Sequence, residues 1–210
     1  MYSFKEIFLT LQGEGGQAGR VSVFARFAGC NLWSGRESDR AAAACDFCDT
    51  DFVGTDGENG GKFVTPGDVV AALDAIWGEG RAADKAVVFT GGEPLLQLDG
   101  ALIAAVRAAG YFIAVETNGT IKAPAGIDWI CVSPKGQNRL QQASGQELKL
   151  VWPQADVDPA DFVELSFERF YLQPKDSPHQ AAHTRAVIEY CLMHPQWRMS
   201  VQTHKLVGLK

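Results

Sequence analysis

Hydrophobic positions along the chain recur at two spacings. Val69, Val70, Leu73, Ile76 and Trp77 follow a helical period. Just ahead of them "TPGD" carries a helix start, with Thr65 as N-cap, Pro66 at the first helical position and Asp68 three residues after the cap. A second helix is predicted from about Asp99, with Leu102, Ile103 and Val106 on one face and Gly110 as its stop. A third covers about 180–193, with Val187, Ile188, Cys191 and Leu192 turned inward. Around these helices lie short runs rich in β-branched and aromatic residues: "VSVFARF", "AVVF", "FIAV", "WICV", "ELKLVW", "FERFYL" and "WRMSV". Several are apolar almost throughout, the pattern of strands covered on both faces. The glycine-rich, acidic stretch "GTDGENGGK", residues 54–62, breaks the pattern and reads as a surface loop.

The alternation of strand and helix predicts parallel β-α units, with the later crossovers too short for full helices. The strand endings share a polar character. "VFARF" leads into "AGC", "AVVF" into "TGGEP", "FIAV" into "ETNG", "WICV" into "SPK", "FERFYL" into "QPKD" and "WRMSV" into "QTHK". In parallel α/β barrels and open sheets, ligands sit beyond the carboxyl ends of the strands, where the connecting loops converge. Six such endings predict one shared rim.

Composition narrows the field. The 210 residues fit a single domain, 1–210, with a core large enough to need no staples. A net charge of -6 gives no basic footprint for nucleic acid or anionic lipid. The opening "MYSFKEIFLTLQGEGG" has no basic stretch followed by an apolar core, and the longest apolar run, "ALIAAV", is too short to cross a bilayer. A cytoplasmic protein acting on small molecules, without nucleic-acid or membrane partners, is expected.

Three of the five cysteines fall in "AGCNLWSGRESDRAAAACDFCDTDF", with fourteen residues between Cys30 and Cys45 and two between Cys45 and Cys48. The C-x-x-C alone could be a thiol redox pair, half a zinc site or two iron-sulfur ligands. A structural zinc closes its tetrahedron with four protein ligands, and this stretch offers no fourth. A cubane cluster held by three thiolates leaves one iron open to a small molecule that chelates through an amine and a carboxylate, as S-adenosylmethionine can. Trp33 and Phe47 could shield such a cluster from solvent. Cys131 and Cys191 sit in apolar surroundings and read as core residues. His179, His183 and His194 read as helix-flanking or surface residues.

Taken together, "EIFLTLQGEGGQAGRVSVFARFAGCNLWS", "CDFCDTDF", "TGGEP", "ETNG", "SPK", "QPKD" and "QTHK" resemble the 7-carboxy-7-deazaguanine synthases, a family of the radical S-adenosylmethionine superfamily in queuosine biosynthesis. The resemblance spans nearly the whole chain. It departs in one respect: the superfamily usually places three residues, not fourteen, between its first two cysteines. "RESDRAAAA" has helical character, and a short helix could fold the added residues away from the cluster.

The resemblance implies a partial, abridged (β/α) barrel of mostly parallel strands with few helices, and a lyase that needs a 4Fe-4S cluster, S-adenosylmethionine and Mg2+. A flavodoxin-like donor would supply the electron that splits the cofactor, and the resulting 5'-deoxyadenosyl radical would take hydrogen from C6 of 6-carboxy-5,6,7,8-tetrahydropterin. Ring contraction with loss of ammonia gives 7-carboxy-7-deazaguanine. It implies a homodimer.

By position, it assigns Cys30, Cys45 and Cys48 to the cluster and Thr50 to magnesium, with Asp49 and Asp51 not direct ligands. Gly91, Gly92, Glu93, Ser133, Pro134, Lys135, Gln173, Pro174, Lys175 and Asp176 fall to the cofactor. Leu11, Gln12, Gly13, Glu14, Arg26, Thr90, Glu116, Asn118, His204 and Lys210 fall to the substrate, with Glu116 alternatively on a cofactor ribose hydroxyl. Arg26 also has a physical claim to that role. An arginine in an apolar strand is costly unless its charge is paired, and its fork suits a carboxylate.

Two other readings are compatible with the cysteines. A radical activating enzyme acting on a protein partner would share them and "GGEP" but would not need the "LQGEG" opening or Arg26. A zinc-stabilised binding module would need a remote fourth ligand and leaves the polar strand endings unexplained.

Overall fold

The computed structural model describes residues 1–81 and 84–210. Its nine strands are β1 Tyr2–Leu11, β2 Val21–Phe27, β3 Gly61–Phe63, β4 Ala86–Gly91, β5 Phe112–Thr117, β6 Trp129–Val132, β7 Ser144–Trp152, β8 Ser166–Pro174 and β9 Trp197–Met199. The helices are α1 Pro66–Trp77, α2 Gly100–Ala108, α3 Gln180–Met193 and α4 Thr203–Val207. One sheet holds all nine strands in the order β3-β1-β2-β4-β5-β6-β7-β8-β9. From β2 to β9 every neighbour is parallel and follows in chain order, the winding of a barrel that stops short of closing. The fold is the expected abridged barrel with few helices.

The ends of α1 and α2 form as their sequences predict. Thr65 accepts from the Asp68 backbone while Asp68 reaches back to Thr65, a complete capping box, and Asp99 caps α2 through Leu102. Gly110 follows with φ +83, a conformation few side chains tolerate. Val69, Leu73, Trp77, Leu102, Ile103 and Val106 pack with the outer face of β1, β2, β4 and β5 in one core. A second core joins β6, β7 and β8 to α3 through Val187. The inward face predicted for α3 is narrower than expected. Val187 is buried and Cys191 half-buried, but Ile188 and Leu192 are 42% and 78% exposed.

The long strand β1 escapes the periodicity reading, and its bulge explains why. Phe4 pairs with Phe27 but Glu6 pairs with Arg26, so one extra residue enters between them. Tyr2 and Phe4 face the core, and after the bulge Ile7 does. The alternation therefore changes frame inside "YSFKEIFLTL", and neither frame alone spans it. β1 runs antiparallel to β2 and β3 as an extension of the parallel sheet, and β3 begins within the predicted 54–62 loop.

Candidate active site

Strand alternation decides which residues meet. On β2, β4, β5 and β7 the core takes Val23, Ala25, Phe27, Val87, Phe89, Ile113, Val115, Leu148 and Leu150. Their alternates Arg26, Thr90, Glu116 and Lys149 therefore point to the barrel's inner face, and all four line one cavity of about 320 Å³. The β1 bulge brings Glu6 and Phe8 to the same face. The volume lies within the range of small-molecule sites.

Part of the cavity wall is a buried ionic network. Lys149 Nζ lies 2.7 Å from Glu14 and 2.9 Å from Glu116. Glu116 also accepts from Gln12 Nε2 at 3.1 Å, and Glu14 from Gln202 Nε2 at 2.9 Å. Burial would push Lys149 down, yet Cys131, Glu116, Glu14 and Glu147 hold it well above its ordinary value. Burial would likewise push Glu14 up, but the Lys149 charge holds it below. Glu147, behind the lining, differs. It accepts from Gly16 N at 2.7 Å, and burial together with the nearby Glu116 charge raises its pKa. One ammonium pairs with two carboxylates, and the third acid, Glu147, keeps its proton further up the pH scale.

Arg26 donates through Nε to Glu6 at 2.9 Å, its register partner on β1. Glu6 also pairs with Lys210 Nζ at 2.7 Å. Burial raises Glu6, but Lys210 and Arg26 outweigh it and hold the carboxyl below its usual range. Among the described residues, the hydrogen bonds of Arg26 run through Nε alone, leaving its two terminal nitrogens to a ligand. His204 covers Gly13, where a Cβ would fall 2.2 Å from the imidazole Nδ1, and Thr203 donates to the Gly13 carbonyl. A side chain at 13 would displace this C-terminal cover.

Cys30, Cys45 and Cys48 all line the same cavity. The Cys45 thiol donates toward Cys48, which raises Cys45 and pulls Cys48 down to about 6. Burial raises Cys30, whose sulfur accepts from Leu32 N at 3.4 Å. The donor set fits a cluster better than a single ion. Around one tetrahedral zinc the sulfurs would crowd within about 3.8 Å of each other. Yet the one group of ligand atoms within 4.8 Å of one another, among the described residues, is Glu116, Cys131 and Glu147. Cys30, Cys45 and Cys48 do not form such a group, and three thiols without a fourth ligand suit a cubane that leaves one iron open better than a closed zinc site. At Glu116 the Lys149 ammonium already supplies the positive charge a metal would bring.

The "TGGEP" turn holds the first cysteine. Gly92 N donates to Phe27 O at 3.3 Å and Glu93 N to Gly29 O at 2.9 Å. A Cβ on Gly92 would fall 2.0 Å from Gly29 O and 2.9 Å from Cys30 Cβ, and one on Gly91 2.2 Å from Phe27 O. Both glycines are therefore needed for backbone to meet backbone. Glu93 is fully buried and accepts from Leu95 N, Thr117 Oγ1 and Asn118 N at 2.8–2.9 Å. Asn118 Nδ2 continues to Asn31 at 3.0 Å. The motif clamps "AGC" to "ETNG".

Of the positions singled out from sequence, the cavity gathers the three cysteines, Thr50, Gly91, Gly92, Ser133, Lys135, Gln173, Pro174, Asp176 and all ten substrate candidates. Glu93, Pro134 and Lys175 stand outside its lining. Lys149, Glu6 and Gln202 line it without having been singled out. Lys149 carried a signal: a charge inside the apolar run "ELKLVW" calls for the same question as Arg26.

Residues 38–141 match the Radical SAM superfamily. The 7-carboxy-7-deazaguanine synthase of Caulobacter vibrioides is 67% identical over 208 residues, covering 99% of this chain and 99% of that one. That of Bordetella pertussis is 64% identical over 208 residues, with the same coverage. The crystal structure of QueE from Escherichia coli superposes with a TM-score of 0.73 at 26% identity, covering 97% of this chain and 94% of that one.

Proposed function

The chain belongs to the 7-carboxy-7-deazaguanine synthase family of radical S-adenosylmethionine enzymes, and from that premise we propose how its residues divide the work of converting 6-carboxytetrahydropterin to 7-carboxy-7-deazaguanine. The observation that carries the proposal is one cavity lined both by three thiols and by a charged, hydrogen-bonding wall. Bound at this site, a 4Fe-4S cluster with S-adenosylmethionine would supply, on one-electron reduction, the radical chemistry by which the pterin is converted with loss of ammonia.

Cys30, Cys45 and Cys48 hold the cluster. Gly91, Gly92, Ser133, Lys135, Gln173, Pro174 and Asp176, which line the same cavity, bind the adenosyl cofactor. The free nitrogens of Arg26 take the substrate carboxylate as a bidentate pair. Glu14 and Glu116, both paired with Lys149, accept from the amino and ring N–H groups of the pterin edge. Gln12, Gly13, Leu11, Thr90, Asn118, His204 and Lys210 complete the wall and exclude water.

Thr50 lines the cavity and serves magnesium, which keeps most of its waters and needs few protein ligands. The neighbouring carboxylates are engaged elsewhere: Asp49 with Lys205 at 2.6 Å, Asp51 with Lys5 at 3.0 Å. A flavodoxin-like donor, a homodimer and a cytoplasmic location accompany this reading. No helix among the described residues is long and apolar enough to cross a membrane.

Consumption of the pterin tests the substrate assignment. With reduced, reconstituted protein, 6-carboxytetrahydropterin is expected to be consumed in large excess over S-adenosylmethionine, because return of the hydrogen regenerates the adenosyl cofactor. Cleavage of S-adenosylmethionine to deoxyadenosine with the pterin left unconsumed contradicts the reading and favours an activating enzyme with a protein partner.

A further inference from the structure

Fourteen residues separate Cys30 from Cys45, many more than are needed to bring two thiols to one cluster. They do not simply fold away. The segment forms a short 3-10 helix, Glu37–Ala42, and its Arg40 turns back onto the cysteines. Nη1 of Arg40 donates to the carbonyls of Asp46 and Cys48, each at 3.0 Å. Glu37 holds the other edge of the guanidinium at 2.7 and 2.5 Å. The plane lies 4.1 Å over the Trp33 ring, which is itself fixed by Arg36 O at 3.1 Å and edge-on to Phe52. One side chain thus ties the insert to the C-x-x-C turn at two points, one of them a thiol-bearing residue.

Charge adds to position. The Arg40 side chain is 30% exposed while Glu37 is 73% exposed, so water screens the carboxylate more than the guanidinium beneath it. The potential of an iron-sulfur centre follows nearby charge, hydrogen bonding and solvent access. A positive charge next to Cys48 favours the reduced cluster, which carries one more electron.

We propose that Arg40 is a positioning residue for the iron-sulfur centre, bracing the Cys45–Cys48 turn through two carbonyls and raising the reduction potential of the cluster. This rests on the cluster assigned above.

Redox titration of anaerobically reconstituted parent, R40Q and R40K, with iron counted in each, tests it. In R40Q the reduced-to-oxidised ratio at a fixed poise is expected to fall about tenfold, a midpoint about 59 mV lower for a one-electron couple. R40K keeps the charge and is expected to stay near the parent. R40Q with the parent's iron content and midpoint overturns the proposal. Should R40Q hold too little iron to titrate, R40K decides: full iron with an unshifted midpoint supports the proposal, and full iron with a lowered midpoint overturns it. A parent protein that binds no cluster fails the family reading instead, so the two failures are distinct.

Discussion

Lys149 Nζ lies 2.7 Å from Glu14 Oε2, and both side chains belong to the buried wall of the cavity. The ammonium also pairs with Glu116 at 2.9 Å, so its removal leaves two carboxylates facing each other without a counter-charge. Breaking a buried pair at one partner costs about 3–5 kcal/mol. K149M is expected to lower the melting temperature strongly at pH 8 and less at pH 5. Without the ammonium the folded acids bind protons more readily than the unfolded ones, so stability rises as pH falls. A pH series of thermal melts checks this; a melting-temperature loss that is the same at both pH values contradicts it.

Arg26 uses Nε on Glu6 and keeps its fork for a ligand. R26K retains the charge and loses the planar pair, so kcat/KM for 6-carboxytetrahydropterin is expected to fall about 10–100-fold, the worth of one charged hydrogen bond. An analogue lacking the carboxylate is expected to lose little further between parent and variant. Equal losses for both substrates would place Arg26 elsewhere in the mechanism.

Gly92 tests the "TGGEP" clamp. Its Cβ would fall 2.0 Å from the Gly29 carbonyl, so G92A forces "AGC" away from the turn. Iron content after reconstitution is expected to drop well below the parent's. G100A, where nothing lies within 4 Å of an added Cβ, is expected to load fully. Full loading of both variants would show that the clamp does not position Cys30.

Glu147 has a pKa raised above its ordinary 4.5 by burial and by the Glu116 charge. An acid raised on folding costs nothing while both states are protonated, and stability is lost as pH rises from its unfolded value through its folded one. E147Q keeps an oxygen to accept from Gly16 N and removes the ionisation. It is expected to gain stability relative to the parent from about pH 4.5 upward. Parallel denaturation curves at all pH values would show Glu147 to be ordinary.

Much of this was legible in the sequence, because local rules govern it. The capping box of α1, the stop at Gly110 and the polar residues closing each parallel strand all depend on neighbours within a few positions. Arg26 was found because a charge inside an apolar strand needs a reason, and Lys149 in "ELKLVW" answers to the same test. What escaped depends on distant chain. The frame change in β1 is set by its pairing with β2, and the half-covered face of α3 by how little β8 and β9 bury of it. Glu93 shows the limit of motif reading: its three hydrogen bonds make it an internal tie from the "TGGEP" turn to β5 and "ETNG" rather than part of the cavity wall.

The most direct measurement is of product. Protein reconstituted anaerobically with iron and sulfide, reduced, and given magnesium, S-adenosylmethionine and excess 6-carboxytetrahydropterin is expected to form 7-carboxy-7-deazaguanine over many turnovers, detected by mass spectrometry. Deoxyadenosine accumulating with no deazaguanine would contradict the substrate assignment. A colourless protein that retains zinc and forms neither would contradict the role given to Cys30, Cys45 and Cys48.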